Sequence, residues 1–76
     1  MKDEPINKYV GSVLHTNRKK LRYSQEYVAR RLDVPRSSYQ CFESGRMTMS
    51  FDVFLRVCEI LNIDAIKLVD ECKRLL

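Results

Sequence analysis

Apolar residues recur at spacings of three and four along this 76-residue chain, whereas the strict alternation of a half-buried strand is weak throughout. Spacings of three and four place side chains on one face of an α-helix, so the chain is predicted to be all-α. It has two prolines, two glycines and no repeat or low-complexity run. A chain of this length has room for one domain, residues 1–76, with one modest core.

Five helices are expected from the apolar pattern and from the residues that interrupt it. They span about residues 6–20, 25–32, 35–45, 51–61 and 65–75, which puts the two C-terminal helices at about residues 50–75. Ser24, Ser50 and Asp64 each precede a helix, and their side-chain oxygens can cap its first turn. Gly45 suits the left-handed position that ends many helices.

The apolar residues of each helix predict which side faces the core. In the third helix, Tyr39 and Phe42 are three apart and are expected to point inward. The predicted stripe of the fourth helix comprises Phe51, Phe54, Leu55, Cys58 and Leu61. The apolar residues of the fifth helix exceed what so small a core can absorb. The leftover strip, Ile66, Val69 and Cys72, is therefore expected to form a dimer contact.

Positive charge is concentrated in the first part of the chain. Residues 1–46 carry ten Lys and Arg against five acidic residues, whereas residues 47–76 carry four against five. A basic surface at one end of a molecule indicates a polyanionic partner. No apolar run approaches the ~18 residues needed to cross a bilayer, and the N-terminus lacks the apolar segment of a signal peptide. We therefore expect a cytoplasmic protein with no membrane partner.

Neither a metal site nor an active site is indicated by the reactive side chains. The three cysteines, Cys41, Cys58 and Cys72, lack the spacing of zinc ligands and are expected to be reduced and inert. No sequence feature places His15, the single histidine, beside Ser37, Ser38 or Cys41 as the base of a nucleophile. We expect no catalytic residue, cofactor, metal or small-molecule ligand. A redox role for Cys41 stays open.

The segment SQEYVARRLDVPRSSYQCFESG, residues 24–45, forms two short helices joined by a tight turn, which suits a helix-turn-helix. This segment resembles the helix-turn-helix of the Cro/lambda-repressor-like (Xre) family. The residues that carry the resemblance are Gln25, Val28, Ala29, Leu32, Val34, Tyr39, Phe42, Glu43 and Gly45. The stretch MTMSFDVFLRVCEILNIDAIKLV resembles the fourth and fifth helices of the family. The resemblance covers about residues 6–72 and implies a five-helix, lambda-repressor-like DNA-binding domain.

Two positions depart from the family pattern. Asp33 occupies the turn position usually taken by glycine, where the backbone needs a positive φ that Asp tolerates better than most residues. Tyr39 occupies a position usually taken by Ile or Val. Its ring is therefore expected to lie in the core with the hydroxyl reaching an edge.

The resemblance also implies roles for individual residues. The residues expected to contact base edges are Arg36, Ser37, Gln40 and Cys41. Arg36 is the strongest of these, because a guanidinium can bond guanine O6 and N7 together. The residues expected to contact phosphates are Ser24, Gln25, Arg22 and Arg46. Arg18 and Glu43 occupy positions that often form an ion pair between helices one and three in the family.

These observations together predict a sequence-specific transcriptional regulator of double-stranded DNA. It would bind a roughly palindromic operator as a homodimer, with helix three in the major groove, and would act as a repressor or recruit polymerase. The alternative is an antitoxin-like or other protein-binding module that also binds DNA. RNA is less favoured, because the chain offers no aromatic-rich stacking surface.

Overall fold

The computed structural model describes residues 5–76, and this range contains five α-helices and no strand. The helices are α1 (Pro5–Lys20), α2 (Gln25–Leu32), α3 (Arg36–Ser44), α4 (Phe51–Ile60) and α5 (Ala65–Lys73). The all-α, five-helix prediction is confirmed, with helix ends within two residues of those expected. Residues 1–4 of the predicted domain lie outside the described range. None of the five helices is long and apolar enough to cross a membrane.

Side-chain caps begin three of the helices at the predicted residues. The backbone N–H of Tyr27 donates to Ser24 Oγ at 3.0 Å, and that of Val53 donates to Ser50 Oγ at 3.2 Å. At the start of α5, the N–H of Lys67 donates to Asp64 Oδ1 at 3.1 Å. Each cap satisfies one backbone donor that the first turn of a helix leaves without an internal partner.

Each of the four connections between helices contains one residue in the left-handed region. These residues are Arg22 (φ 62°), Asp33 (φ 60°), Gly45 (φ 81°) and Asn62 (φ 59°). The predictions of positive φ for Asp33 and of a left-handed position for Gly45 are confirmed. Arg22 adopts this conformation although its side chain gives no local advantage there. Backbone hydrogen bonds close that turn, from the N–H of Arg22 to the carbonyl of Lys19 at 3.0 Å and from the N–H of Tyr23 to the carbonyl of Arg18 at 3.2 Å.

The core lies where α3 packs between α1 and α2, with α4 against α2 and α5 against α1. Its fully buried side chains include Leu14, Val28, Leu32, Tyr39, Val57 and Leu61. The rings of Tyr39 and Phe42 meet edge to face with centroids 6.4 Å apart, so the inner side of α3 is anchored by aromatic contact. This anchoring leaves the opposite side of α3 facing outward.

Gly11 allows α1 and α3 to approach each other closely. A Cβ atom added at Gly11 would overlap the backbone carbonyl of Glu43 and would lie 2.7 Å from that of Phe42. Any side chain at this position would therefore push the helices apart. The close approach also brings the part of α1 that carries His15 and Arg18 beside Glu43, in the last turn of α3.

Two predictions about side-chain direction are wrong. Phe51 and Leu55 do not join the core but are 72% and 44% exposed, whereas Val57 is fully buried. The buried stripe of α4 is thus turned toward Val57, because the packing of α4 on α2 sets the rotation of the helix. The hydroxyl of Tyr39 does not reach an edge either, since the whole side chain is buried and burial raises the pKa of its hydroxyl.

Candidate nucleic-acid interface

The outer face of α3 carries small and polar side chains. Ser37, Gln40 and Ser44 are exposed there and Cys41 is half-buried, on the side of the helix opposite Phe42. This face forms one wall of an open groove of about 560 Å³, which we call the polar groove. The residues lining it are His15, Gln25, Ser37, Gln40, Cys41, Glu43, Ser44 and Arg46. Three of the four residues predicted to contact bases therefore lie together.

Arg36, the fourth predicted base contact, lies outside the polar groove. It lines a separate cleft between α2 and α3, together with Glu26, Ala29, Arg30 and Val34. As the first residue of α3 it is exposed, one helical turn before Gln40. Arg36 is therefore at the edge of the face formed by Ser37 and Gln40, on the side toward α2.

A buried ion pair joins α1 to α3 beneath the polar groove. The guanidinium of Arg18 donates from Nε to Glu43 Oε2 at 2.6 Å and from Nη2 to Glu43 Oε1 at 3.2 Å. Its Nη1 donates to the backbone carbonyl of Tyr23 at 2.8 Å. The two-pronged contact combines charge with fixed geometry, so it sets the position of α3 relative to α1 and to the turn before α2.

Glu43 is the centre of a wider polar cluster. Its Oε1 accepts a hydrogen bond from Gln25 Nε2 at 3.1 Å and contacts His15 Nδ1 at 3.1 Å. Burial would by itself raise the pKa of this carboxyl, but the hydrogen bonds led by that of Arg18 lower its pKa to about 2. Glu43 is thus ionised at neutral pH, with its charge balanced by Arg18 inside the protein. A balanced carboxylate repels a polyanion far less than an isolated one.

The N-terminus of α2 lies at the other wall of the polar groove. Gln25 is the first residue of α2, and its side chain is held by the bond to Glu43. Ser24 uses an acceptor lone pair of its hydroxyl to cap the helix, which leaves the O–H able to donate. The first turn of a helix carries backbone N–H groups without internal partners and the positive end of the helix dipole, an arrangement that favours an anion.

The two remaining arginines that were predicted to contact phosphate follow helix ends. Arg46 is exposed and lines the polar groove, and its backbone N–H donates to the carbonyl of Cys41 at 2.9 Å. Arg22 is exposed in the turn after α1, where its N–H donates to the carbonyl of Lys19 at 3.0 Å. Arg22 does not line the groove, so only Arg46 is brought to the face of α3.

The predicted dimer residues have unequal surroundings. Ile66 is 83% exposed and Val69 is 44% exposed, whereas Cys72 is half-buried and packs against the core. Val69 and Cys72 line a second, apolar groove of about 370 Å³, which Ile66 does not enter. The residues lining it also include Ile6, Val10, Phe42, Met47, Met49, Phe51, Phe54 and Leu76. The apolar surface thus continues from α5 onto the start of α4.

The thiols of the chain are all free. Burial raises the pKa of the Cys58 thiol to about 11, and burial together with the charge of Glu71 raises the pKa of the Cys72 thiol. Both shifts disfavour the thiolate, which is the nucleophilic form. Cys41, on the face of α3, is the thiol with access to the polar groove.

His15 and Ser44 are the residues of the polar groove that were not predicted from the sequence, and His15 is the one with an ionisable side chain. No sequence feature placed His15 beside Ser37 or Cys41, yet it lines the same groove as both. Its ring contacts Glu43 and lies 3.4 Å from Arg18 Nη2. One signal was present, because residues three apart share a face of a helix, and His15 precedes Arg18 by three.

Comparisons with known proteins agree with this geometry. A model of the family described as "Helix-turn-helix domain" matches residues 11–71, which is most of the chain. Comparison with curated protein sequences gives no match.

Solved structures of gene regulators resemble the fold closely. One crystal structure of the clp gene regulator ClgR from Corynebacterium glutamicum has a TM-score of 0.82 at 18% identity, covering 95% of this chain and 77% of that one. A second ClgR structure has a TM-score of 0.79 at 20% identity, covering 96% of both chains. The restriction-modification controller protein C.AhdI from Aeromonas hydrophila has a TM-score of 0.72 at 27% identity, covering 83% of this chain and 94% of that one.

Proposed function

Because the chain belongs to the helix-turn-helix domain family and is a DNA-binding regulator of the Cro/Xre type, we propose that it binds a palindromic operator as a homodimer with α3 in the major groove. The observation that carries the proposal is the outer face of α3, where small polar side chains stand beside the N-terminus of α2. A helix can enter the major groove only where bulky side chains do not hold it out.

Base edges would be read by Arg36, Ser37, Gln40 and Cys41. Gln40 can bond adenine N6 and N7 together, and the thiol of Cys41 can pack on a thymine methyl. Arg36, at the edge of this face, has the length to reach guanine O6 and N7. Such a two-pronged pair contributes about 1–3 kcal/mol of discrimination against the wrong base. Ser37 can either donate or accept, so it would specify little.

Phosphates would be contacted on both sides of α3. On one side the Ser24 hydroxyl and the N-terminus of α2 at Gln25 form a neutral anion-binding site. On the other side Arg46 projects from the turn after α3. Arg22 would add a cation in the turn between α1 and α2. Phosphate contacts of this kind fix the register of the protein on the duplex and make its affinity depend on salt.

The second copy would pack against the apolar surface of α5. We propose that Ile66, Val69 and Cys72 belong to this interface, together with the apolar groove that Val69 and Cys72 line. A two-fold dimer places two α3 helices about one turn of DNA apart, which matches an inverted repeat. By occupying such a site the regulator would block polymerase or recruit it.

A selection from random duplex DNA tests the proposal directly. The protein is bound to a library of duplexes, and the bound fraction is amplified and sequenced over several rounds. We expect enrichment of an inverted repeat whose half-sites lie about 10 base pairs apart. Enrichment of no sequence would overturn the proposal of a specific operator, and enrichment of a single half-site would overturn the proposal of a dimer.

The role of Arg36 is then tested on the selected duplex. Arg36→Ala should relax preference at one base pair of each half-site, measured by competition among duplexes that carry single substitutions. Arg74→Ala is the matched control, because Arg74 is an exposed arginine of the C-terminal turn that pairs with Asp70. If Arg36→Ala lowers the affinity for all duplexes equally, Arg36 contacts phosphate rather than a base.

The apolar groove favours one second candidate function, an antitoxin-like module that holds a protein partner. Its lining of about ten apolar side chains would suit a partner helix as well as a second copy. The two candidates differ in solution. A protein that is monomeric by light scattering and that still enriches no DNA would support the protein-partner function over the dimeric regulator.

A further inference from the structure

We propose that His15 is a phosphate-contacting residue of the DNA interface and that it makes this contact only when its ring is protonated. The proposal rests on the proposed function and adds to it a residue of α1, outside the helix-turn-helix. It also adds a consequence, namely that DNA binding takes up a proton.

The position of His15 is the first argument. It lines the polar groove with Ser37, Gln40 and Cys41, and its side chain is 53% exposed. Its Nδ1 lies 3.1 Å from Glu43 Oε1, so the ring is held by one nitrogen against the last turn of α3. The other nitrogen, Nε2, lies across the ring from the atom that contacts Glu43, in a side chain that is about half exposed.

The partner of Nδ1 indicates which nitrogen of the neutral ring carries the proton. Glu43 is ionised, because the hydrogen bonds it receives outweigh burial and hold its pKa at about 2. An ionised carboxylate only accepts, so the 3.1 Å contact places the proton of the neutral ring on Nδ1. Arg18 Nη2, at 3.4 Å, is the more distant neighbour of that nitrogen.

The state of Nε2 then decides whether a phosphate can bind. In the neutral ring Nε2 carries a lone pair, which repels a phosphate oxygen. In the protonated ring the same atom is an N–H donor with positive charge, which makes a charge-assisted hydrogen bond. Imidazole is the side chain that changes between these two states from pH 5 to pH 8.

The charged groups around His15 keep their charges over the pH range of the test, so they cannot themselves produce the expected pH dependence of DNA affinity. The charged groups that face His15 are Glu43 on α3, Arg18 on α1 and Arg46 after α3. Arginine keeps its charge at every pH of interest, and Glu43 stays ionised above about pH 4. Gln25 on α2 is uncharged, and Cys41 is the remaining titratable side chain of the groove. A Cys41→Ser background separates the thiol from the imidazole.

The test compares DNA affinity at pH 6.0 and pH 8.0, on the selected duplex and at constant salt. We expect wild-type protein to bind about three- to tenfold more tightly at pH 6.0, as for one added charge-assisted contact. His15→Gln keeps a side-chain N–H that can bond Glu43 but cannot become charged, so its affinity should be the same at both pH values. At pH 6.0 its salt dependence should be shallower by about one phosphate contact.

Lys19→Gln is the matched control, because it removes an exposed positive charge from the next turn of α1 without touching a group that titrates in this range. Its affinity should keep the full pH dependence of wild type. If His15→Gln also keeps that dependence, or if wild type shows none, the proposal is overturned and His15 serves only to tie α1 to α3.

A measurement on unmodified protein guards against a folding defect of the variant. His15 is the single histidine of the chain, so its imidazole gives one set of ring resonances in an NMR titration. The pH midpoint of these resonances should rise when the duplex is added, because affinity and protonation are reciprocal. An unchanged midpoint overturns the proposal. If the selection enriches no duplex, the proposed function itself is overturned. That result differs from an unchanged midpoint, which overturns only the role of His15.

Discussion

The two ends of this molecule use their surfaces in opposite ways. Around α3 the surface is polar, and its most buried charges, Arg18 and Glu43, satisfy each other at 2.6 Å. Around the start of α4 and along α5 the surface is apolar, with Phe51 72% and Ile66 83% exposed. Both ends depart from an ordinary protein surface, one by burying charge and the other by exposing apolar side chains.

This difference in surface chemistry indicates which class of partner each end can bind. The polar end holds its one acidic groove residue in an internal pair, so the groups it presents are hydroxyl, amide, imidazole and guanidinium, which suit phosphates and base edges. The apolar end offers area but few hydrogen-bonding groups, which suits another protein surface. The regulator proposed above would dimerise through one end and read DNA with the other, and that proposal requires this division.

The largest expected effect comes from breaking the buried pair. Arg18→Met should lower the free energy of unfolding by about 3–5 kcal/mol, because Glu43 is left buried without its partner. Urea unfolding followed by circular dichroism measures this loss. Lys19→Met, at the exposed neighbouring position, should change stability by less than about 0.5 kcal/mol. Equal stability of both variants would show that the pair contributes nothing to holding α1 on α3.

A smaller effect is expected when the same pair is titrated. The pKa of Glu43 lies below its ordinary value of 4.5, at about 2. The resulting stabilisation is therefore complete above about pH 4.5 and is lost as the pH falls toward 2. By linkage it amounts to at most about 3 kcal/mol. Urea unfolding at pH 5.5 and pH 3 should show the loss in wild type and in the exposed control Asp70→Asn. Glu43→Gln should show little of it, and an equal loss in Glu43→Gln would assign the effect to other acids.

The apolar end is tested by charging its surface. Val69→Asp should weaken self-association at least tenfold, because the carboxylate would be buried without a partner at the interface. Light scattering should then give a mass near 9.0 kDa at concentrations where wild type gives twice that mass. Lys67→Asp, on the same helix but outside the apolar groove, is the control for added charge. A Val69→Asp protein that keeps the wild-type mass would contradict the assigned interface.

The smallest effect is expected from an exposed ion pair. Arg74 Nη2 lies 3.1 Å from Asp70 Oδ2, one turn apart on the C-terminal helix, with both side chains largely exposed. Arg74→Ala should change the free energy of unfolding by no more than about 0.5 kcal/mol, since water and salt screen such a pair. Compared with Arg18→Met, this variant separates the effect of burial from the effect of charge. A loss above about 1 kcal/mol would mean that exposure does not govern the strength of these pairs.

Several features of the fold could be predicted because they depend on a few neighbouring residues. The caps at Ser24, Ser50 and Asp64 and the left-handed positions at Asp33 and Gly45 are local chemistry. Helix ends predicted from them agree with the structure. The spacing of three and four likewise identified α3 as a helix with an aromatic inner side and a polar outer side.

Other features could not be predicted, because they depend on how helices rotate and approach one another. The sequence placed Phe51 and Leu55 in the core, since spacing alone does not say which of two adjacent apolar stripes faces inward. Gly11 carries no local signal for the contact of α1 with α3. Without that contact, the position of His15 beside α3 cannot be inferred.

The sequence by itself thus determined the five helices, the turn of the helix-turn-helix and the polar side of α3, because hydrogen bonds within a helix and caps at its ends act over a few residues. Only the tertiary structure decided which polar residues meet. It joined Arg18 and His15 of α1 and Gln25 of α2 to Glu43 of α3, and it left Arg36 at the edge of the groove. These contacts depend on distances between helices, which are set by close packing across the whole core.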